Sequence, residues 1–150
     1  KVGVFVDEEL PRVVEIVEQT GIDTVQLHGA EPPEYCSRVP VAVIKTFRVG
    51  PGHPPVDLDA YHVAGFLFDT WDEQAKGGTG NTFDWTMARR ACADHSNIIL
   101  AGGLGPTNVQ EALDVVRPYG VDLNSGVEVK PGVKNARKMR EAVRIIRAWH

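Results

Sequence analysis

Ile98-Ile99-Leu100-Ala101-Gly102-Gly103-Leu104-Gly105-Pro106-Thr107-Asn108-Val109 is the stretch that decides how this chain folds. An apolar run stops at a Gly-Gly pair, a Gly-Pro turn follows, and Thr107-Asn108 leads into a helical pattern. That order predicts a buried strand, a tight turn and a helix start. With no side chains, Gly102 and Gly103 let a ligand come up to the backbone N–H groups. N–H groups beside a helix N-terminus suit an anion, and phosphate is the usual one. The turn alone accounts for a single Gly-Gly pair. The pattern recurs one strand later, in Val121-Asp122-Leu123-Asn124-Ser125-Gly126-Val127-Glu128. Two successive strands ending in small-residue cradles point to one phosphate site made by Gly102, Gly103, Ser125 and Gly126.

The rest of the chain repeats the same unit. Val2–Val6 reads as a β-branched strand, followed by a helix capped by Asp7 and ended by Gly21. Its apolar face is Leu10, Val13, Val14, Ile16 and Val17. Thr24–Gly29 is the second strand, with a short helix over Glu31–Arg38 behind it. Val41–Val49 is the third, apolar first and then polar at Lys45, Thr46 and Arg48. A Pro/Gly-rich loop spans Gly50–Pro55, and a short helix is expected over Leu58–Val63. Gly65–Thr70 is the fourth strand, apolar until Asp69. Lys76–Gly80 has the composition of a loop, with a lid over substrate or a plain solvent loop as its two readings. Asp84 is expected to cap a helix reaching Ala93. The opening stretch is the fifth strand, with a helix over Thr107–Val116. Val121–Val127 is the sixth, and a last helix runs from Asn135 with Ala136, Met139, Ala142, Val143, Ile146 and Trp149 at helical spacing.

Strand–loop–helix units repeating about every 20–30 residues are βαβ crossovers, which require parallel strands. Such units build either a closed (β/α)₈ barrel or an open doubly wound sheet. Polar residues end strand after strand here, at His28, Arg48, Asp69 and Asp122, and the phosphate-like loops follow the last two strands. Both features favour the barrel, since an open sheet concentrates its chemistry at one switch point. Six units are legible rather than eight.

Composition narrows the function. A chain of 150 residues, 43% hydrophobic and 24% charged, suits one soluble domain with a substantial core. Net charge is −4 with no basic patch interleaved with aromatics, which argues against nucleic acid. Cys36 and Cys92 have neither disulfide-framework nor metal-ligand spacing, so a reducing cytoplasm is expected. The dispersed histidines suggest no metal. No apolar run approaches the roughly 18–20 residues of a membrane span, and no signal peptide is legible.

An ordered set of blocks now carries a resemblance. These are Val25-Gln26-Leu27-His28-Gly29, Phe68-Asp69-Thr70, Gly77-Gly78-Thr79-Gly80 with Phe83-Asp84-Trp85, Leu100-Ala101-Gly102-Gly103-Leu104 with Pro106 and Asn108, and Val121-Asp122 with Asn124-Ser125-Gly126-Val127-Glu128. In this order the chain resembles the phosphoribosylanthranilate isomerase family of tryptophan biosynthesis, over its whole length. The resemblance implies a (β/α)₈ TIM barrel of which barrel strands 3–8 are present. Residues 1–150 would then be a single, N-terminally incomplete barrel domain. It implies an Amadori rearrangement of N-(5-phosphoribosyl)anthranilate to 1-(2-carboxyphenylamino)-1-deoxyribulose 5-phosphate, an aldose-to-ketose isomerisation without metal or cofactor. The general acid at the end of the sixth barrel strand corresponds to Asp69. The family's general base is a cysteine in a Lys-x-Cys-Gly motif on the first barrel strand. No such motif occurs in this sequence, and Cys36 and Cys92 do not match it. The arginine that faces the anthranilate carboxylate is likewise absent.

To serve as an acid Asp69 must carry a proton, which the apolar Phe66-Leu67-Phe68 run and an anionic substrate favour. A helix cap or salt bridge is its plainer role. His28 either contacts substrate or bonds within its loop. Asp122 either orients substrate or forms a core ion pair with Lys45 or Arg48. The partner is a small phosphorylated substrate, and a homodimer or a fusion to another tryptophan-pathway enzyme is compatible with the family. The rival reading is a phosphate-binding barrel protein or fragment without this activity.

Overall fold

A computed structural model describes residues 1–49, 57–70 and 85–149. In chain order the elements are β1 (Val2–Phe5), α1 (Leu10–Thr20), β2 (Thr24–Leu27), α2 (Pro33–Cys36), β3 (Ala42–Val49), a 3₁₀ turn (Leu58–Ala60) and β4 (Gly65–Thr70). Then come α3 (Thr86–Asp94), β5 (Ile98–Ala101), α4 (Val109–Val116), β6 (Gly120–Val121), a 3₁₀ turn (Ser125–Val127), the hairpin β7 (Glu128–Lys130) and β8 (Val133–Lys134), and α5 (Ala136–Ala148). Among the described residues the main sheet runs β1-β2-β3-β4-β5-β6. The β1–β2, β2–β3 and β5–β6 pairs are parallel. Sequential order with helical crossovers is what the repeated unit predicts. The expected lid Lys76–Gly80, the loop Gly50–Pro55 and the cap Asp84 lie outside the described residues.

The chain divides into two compact units. In the first, Lys1–Phe47 with Pro54–Leu67, the apolar face of α1 packs on the sheet. Val13 and Val17 meet Val25, Leu27 and Val43, with Cys36 and Val39 sealing the side. Pro11 sits in the first turn of α1, and Gly21 caps its end at φ 64° with its N–H on the Val17 carbonyl. Phe47 stacks edge-on against Tyr61 at 5.2 Å.

Two expectations in this unit change. Asp7 does not cap α1. It has φ 50°, and its carboxylate accepts the Ala30 N–H at 2.6 Å, across from β2. The helix expected over Glu31–Arg38 shrinks to Pro33–Cys36. A residue before a proline is pushed out of the α region, so Pro32, ahead of Pro33, stays extended at φ −78° and ψ 168°, and the Glu31 carboxylate is recruited elsewhere.

In the second unit, Arg48–His53 with Phe68–His150, helices α3, α4 and α5 pack in succession. Ile98 and Leu100 of β5 are fully buried, as are Val109 and Ala112 of α4. The sixth strand is much shorter than Val121–Val127: it ends at Val121. Asn124, at φ −118° and ψ −92°, turns the chain out of the sheet into a 3₁₀ turn and the hairpin. The apolar residues at helical spacing along α5 are unequally buried. Ala142 is fully buried, whereas Met139 and Val143 are 44% and 42% exposed. The helix starts where expected, and Asn135 caps it, accepting from the N–H groups of Arg137 and Lys138 at 3.0 and 3.1 Å. Asn135→Ala should therefore lower stability by about 1 kcal/mol, measured by urea unfolding; an unchanged midpoint would mean that the cap contributes nothing. No helix among the described residues is long and apolar enough to cross a membrane.

Candidate active site

The candidate residues stand at or just beyond the C-terminal ends of their strands, because there the apolar run of each strand gives way to a loop. Asp69 is the fifth residue of β4. It is half-buried and follows the fully enclosed Phe66, Leu67 and Phe68. The strand thus anchors the carboxylate by three buried side chains on its N-terminal side.

The two small-residue loops meet in the second unit. After β5, Gly102 and Gly103 adopt φ 91° and 60° in succession, a turn that L-residues with side chains adopt only under strain. Nothing lies within 4 Å of where a Cβ on Gly103 would stand, so this position faces open space. Asn108 locks the turn behind it. Its Oδ1 accepts the Gly105 N–H at 2.9 Å, and its Nδ2 donates to the Gly103 carbonyl at 3.2 Å. Asn108 thus serves the turn rather than capping α4 with its side chain.

The contact between the loops is backbone on backbone. A Cβ on Gly105 would lie 2.8 Å from the Gly126 carbonyl oxygen, and a Cβ on Gly126 would collide with the Leu104 carbonyl oxygen. Gly105 and Gly126 are glycine because the two loops touch there. Ser125 is exposed beside this contact. The hairpin steadies the second loop: Lys134 Nζ donates to the Asn124 carbonyl at 3.0 Å and pairs with Glu128 at 2.9 Å. The structure therefore brings the Gly102-Gly103 loop and the Ser125-Gly126 loop together as one feature. The signal for Gly105 is present in the sequence as a glycine before Pro106, which a Gly-Pro turn also explains.

Asp122 hangs from the sheet by its N–H, bonded to the Leu100 carbonyl at 2.8 Å, and its side chain is exposed. Lys45 is committed to Glu31, at 3.0 Å, with both side chains 2% exposed. His28 belongs to the first unit, at the end of β2. Its Nδ1 lies 3.2 Å from Gln26 Nε2, so an amide donating there leaves the neutral ring's proton on Nε2.

The two cysteines do not act as bases. Cys36 is buried in the first unit's core, and its thiol is pushed up by that burial. The Cys92 thiol is pushed up to about 11 by burial. Neither offers thiolate near neutral pH.

A parallel α/β sheet with its polar residues at the C-terminal strand ends defines a (β/α)₈-type enzyme. The sequence model of N-(5'phosphoribosyl)anthranilate (PRA) isomerase matches residues 1–144. A protein named N-(5'-phosphoribosyl)anthranilate isomerase in Pelobacter propionicus is 45% identical over 144 residues, covering 96% of this chain and 68% of that protein. The phosphoribosyl anthranilate isomerase structure from Thermus thermophilus superposes with a TM-score of 0.81 at 36% identity, over 99% of this chain and 72% of that one. A third structure is an isomerase in complex with reduced 1-(o-carboxyphenylamino)-1-deoxyribulose 5-phosphate; it has a TM-score of 0.76 at 30% identity, over 97% of this chain and 70% of that one. The chain belongs to the phosphoribosylanthranilate isomerase family.

Proposed function

We propose that this chain works in tryptophan biosynthesis as the isomerase of N-(5'-phosphoribosyl)anthranilate, with Asp69 as its general acid. The observation that carries the reading is the backbone contact of Gly105 and Gly126, which makes one cradle of two strand-end loops. A phosphate monoester is a dianion that backbone N–H groups hold without any side chain. Gly102, Gly103, Ser125 and Gly126 hold it in this reading. Anchoring the phosphate sets the ribose ring toward the strand ends, where Asp69 stands.

The chemistry follows from the substrate. Asp69 gives its proton to the ribose ring oxygen as the C1′–O bond breaks, and the anthranilate nitrogen lone pair forms the Schiff base. A base removes the C2′ proton, and its electron pair neutralises the iminium as an enolamine. Tautomerisation then yields the ketose. Residues 1–150 contain no Lys-x-Cys-Gly motif, so Asp69 is assigned the acid step alone. His28 and Asp122 orient substrate. Residues 1–150 belong to one barrel domain in this reading. The unpaired Cys36 and Cys92 fit a reducing, cytoplasmic setting.

The test is Gly103→Val in the protein as its gene encodes it. The new side chain stands in open space, so the loop contact survives, but φ 60° is strained and the approach to the N–H groups narrows. KM for the phosphorylated substrate should rise about tenfold, or about 1.4 kcal/mol, with kcat little changed. A native KM would remove this loop from the phosphate site.

A further inference from the structure

We infer that Glu31 and Lys45 are positioning residues that set His28 for the substrate; this rests on the reading of His28 as a substrate contact. The inference starts from what Lys45 does with its proton donors. Its side chain is 2% exposed, at the middle of β3. Nζ donates to the Gly29 carbonyl at 2.7 Å and, at longer range, to the Leu27 carbonyl at 3.4 Å. These are the residues on either side of His28. Nζ also donates to its neighbour's carbonyl, Thr46 O, at 3.2 Å, and pairs with Glu31 Oε2 at 3.0 Å.

Glu31 completes the clamp from the opposite side. It is 4% exposed. Its carboxylate accepts the Gly29 N–H, at 3.0 Å to Oε2, and the Asp7 N–H at 2.9 Å to Oε1. Asp7 in turn accepts the Ala30 N–H at 2.6 Å. Gly29 lies so close to Asp7 that a Cβ there would stand 2.6 Å from the Asp7 nitrogen. One buried charge pair therefore fastens the ends of β1, β2 and β3, and it holds both residues that flank His28, Leu27 and Gly29. The His28 N–H itself bonds the Phe5 carbonyl at 2.8 Å. Burial pushes the Glu31 carboxyl up, but the Lys45 ammonium and the Asp7 N–H outweigh it, so the group is held below the ordinary carboxylate value.

A buried ion pair gives little net stability over apolar residues of the same size, because desolvating both charges offsets their attraction. What such a pair does provide is fixed geometry, here for the five-residue loop 28–32 with His28 at its start. Removing both charges together should leave the fold intact and loosen that loop. Removing one leaves the other buried and unpaired, which destabilises the fold and obscures the effect.

The experiment compares His28→Gln with the double variant Lys45→Met/Glu31→Gln, both in the protein as its gene encodes it. The readouts are KM, kcat, affinity for reduced 1-(o-carboxyphenylamino)-1-deoxyribulose 5-phosphate, and the ring ¹⁵N resonances of His28. The expected result is about a tenfold rise in KM for both variants, weaker binding of the analogue, and kcat within about threefold. In the double variant the His28 ring should move from one tautomer toward a mixture, with the unfolding midpoint within a few degrees of native. If His28→Gln raises KM while the double variant keeps both the native KM and the native His28 signals, the inference is overturned and the role of His28 stands. If His28→Gln leaves KM unchanged, the reading of His28 as a substrate contact fails, and the clamp serves the fold alone.

Discussion

Asp69→Asn should lower kcat by roughly 10²–10⁴-fold or more while leaving substrate affinity nearly native. The amide is nearly the same size and shape as the acid, and three buried neighbours, Phe66, Leu67 and Phe68, fix the end of β4 from behind. The strand therefore stays in place. What is lost is the proton for the ribose ring oxygen. Without it the ring opens only with water as the acid, and the Schiff base forms too slowly to support turnover. The split between kcat and KM is the diagnostic. A cap or salt-bridge role for Asp69 would instead appear as lost stability with kcat preserved in the folded fraction. Steady-state kinetics on the protein as its gene encodes it, with binding of reduced 1-(o-carboxyphenylamino)-1-deoxyribulose 5-phosphate measured by calorimetry, separates the two. A near-native kcat would remove Asp69 from the acid role.

The fold was legible wherever one signal controlled one element. The Ile98–Ala101 run, stopped by Gly102-Gly103, is β5, and α5 follows Asn135, where the last helix is expected to start. Pro11 and Gly21 bound α1. Sequence reading failed where a residue was claimed by a distant partner. Asp7 looked like a helix cap because it precedes an amphipathic pattern, yet its carboxylate reaches Ala30 instead. Glu31 looked like the first turn of a helix, yet it is a buried counter-charge to Lys45. Nothing in local spacing reports a contact between residues fourteen positions apart. The strand expected over Val121–Val127 failed for a related reason. Its apolar alternation continues past Val121, but Gly126 must meet the Leu104 backbone, and the chain turns away to allow it.

The candidate site divides along the same line. The residues proposed to bear chemistry, Asp69 and the paired glycines, stand at strand ends that any periodicity reading locates. The supports around them do not announce themselves. Asn108 reads as a polar step into a helix, and only the structure gives it two hydrogen bonds that hold the Gly103–Gly105 turn closed. Lys134 reads as one charge in a basic helical stretch, and only the hairpin brings it back onto Asn124. A polar side chain that shapes a loop has the same sequence signature as one that merely faces water.

Gly126→Val should raise KM for the phosphorylated substrate by about 10–10²-fold, the largest binding effect expected of any single change in the loops. At Gly103 a side chain meets nothing, whereas at Gly126 the Cβ itself runs into the Leu104 carbonyl. No rotamer relieves a clash made by Cβ, so the two loops must separate. Overpacking of this kind costs roughly 1–3 kcal/mol. Separation has a second effect on the ligand. A phosphate oxygen bonded by backbone N–H groups from both loops gains charge-assisted hydrogen bonds worth about 1.5–3 kcal/mol each. Moving one loop away loses at least one of them, which is the expected change in KM. Ser125→Ala is the control, since Ser125 is exposed and its backbone is unaltered by the change. It should keep KM within about threefold if the backbone, rather than the hydroxyl, holds the phosphate. Inorganic phosphate supplies an independent measure, as a competitive inhibitor whose inhibition constant should rise in parallel with KM for Gly126→Val. If Gly126→Val binds phosphate as the native protein does, the contact between these loops is a feature of folding alone and the phosphate lies elsewhere.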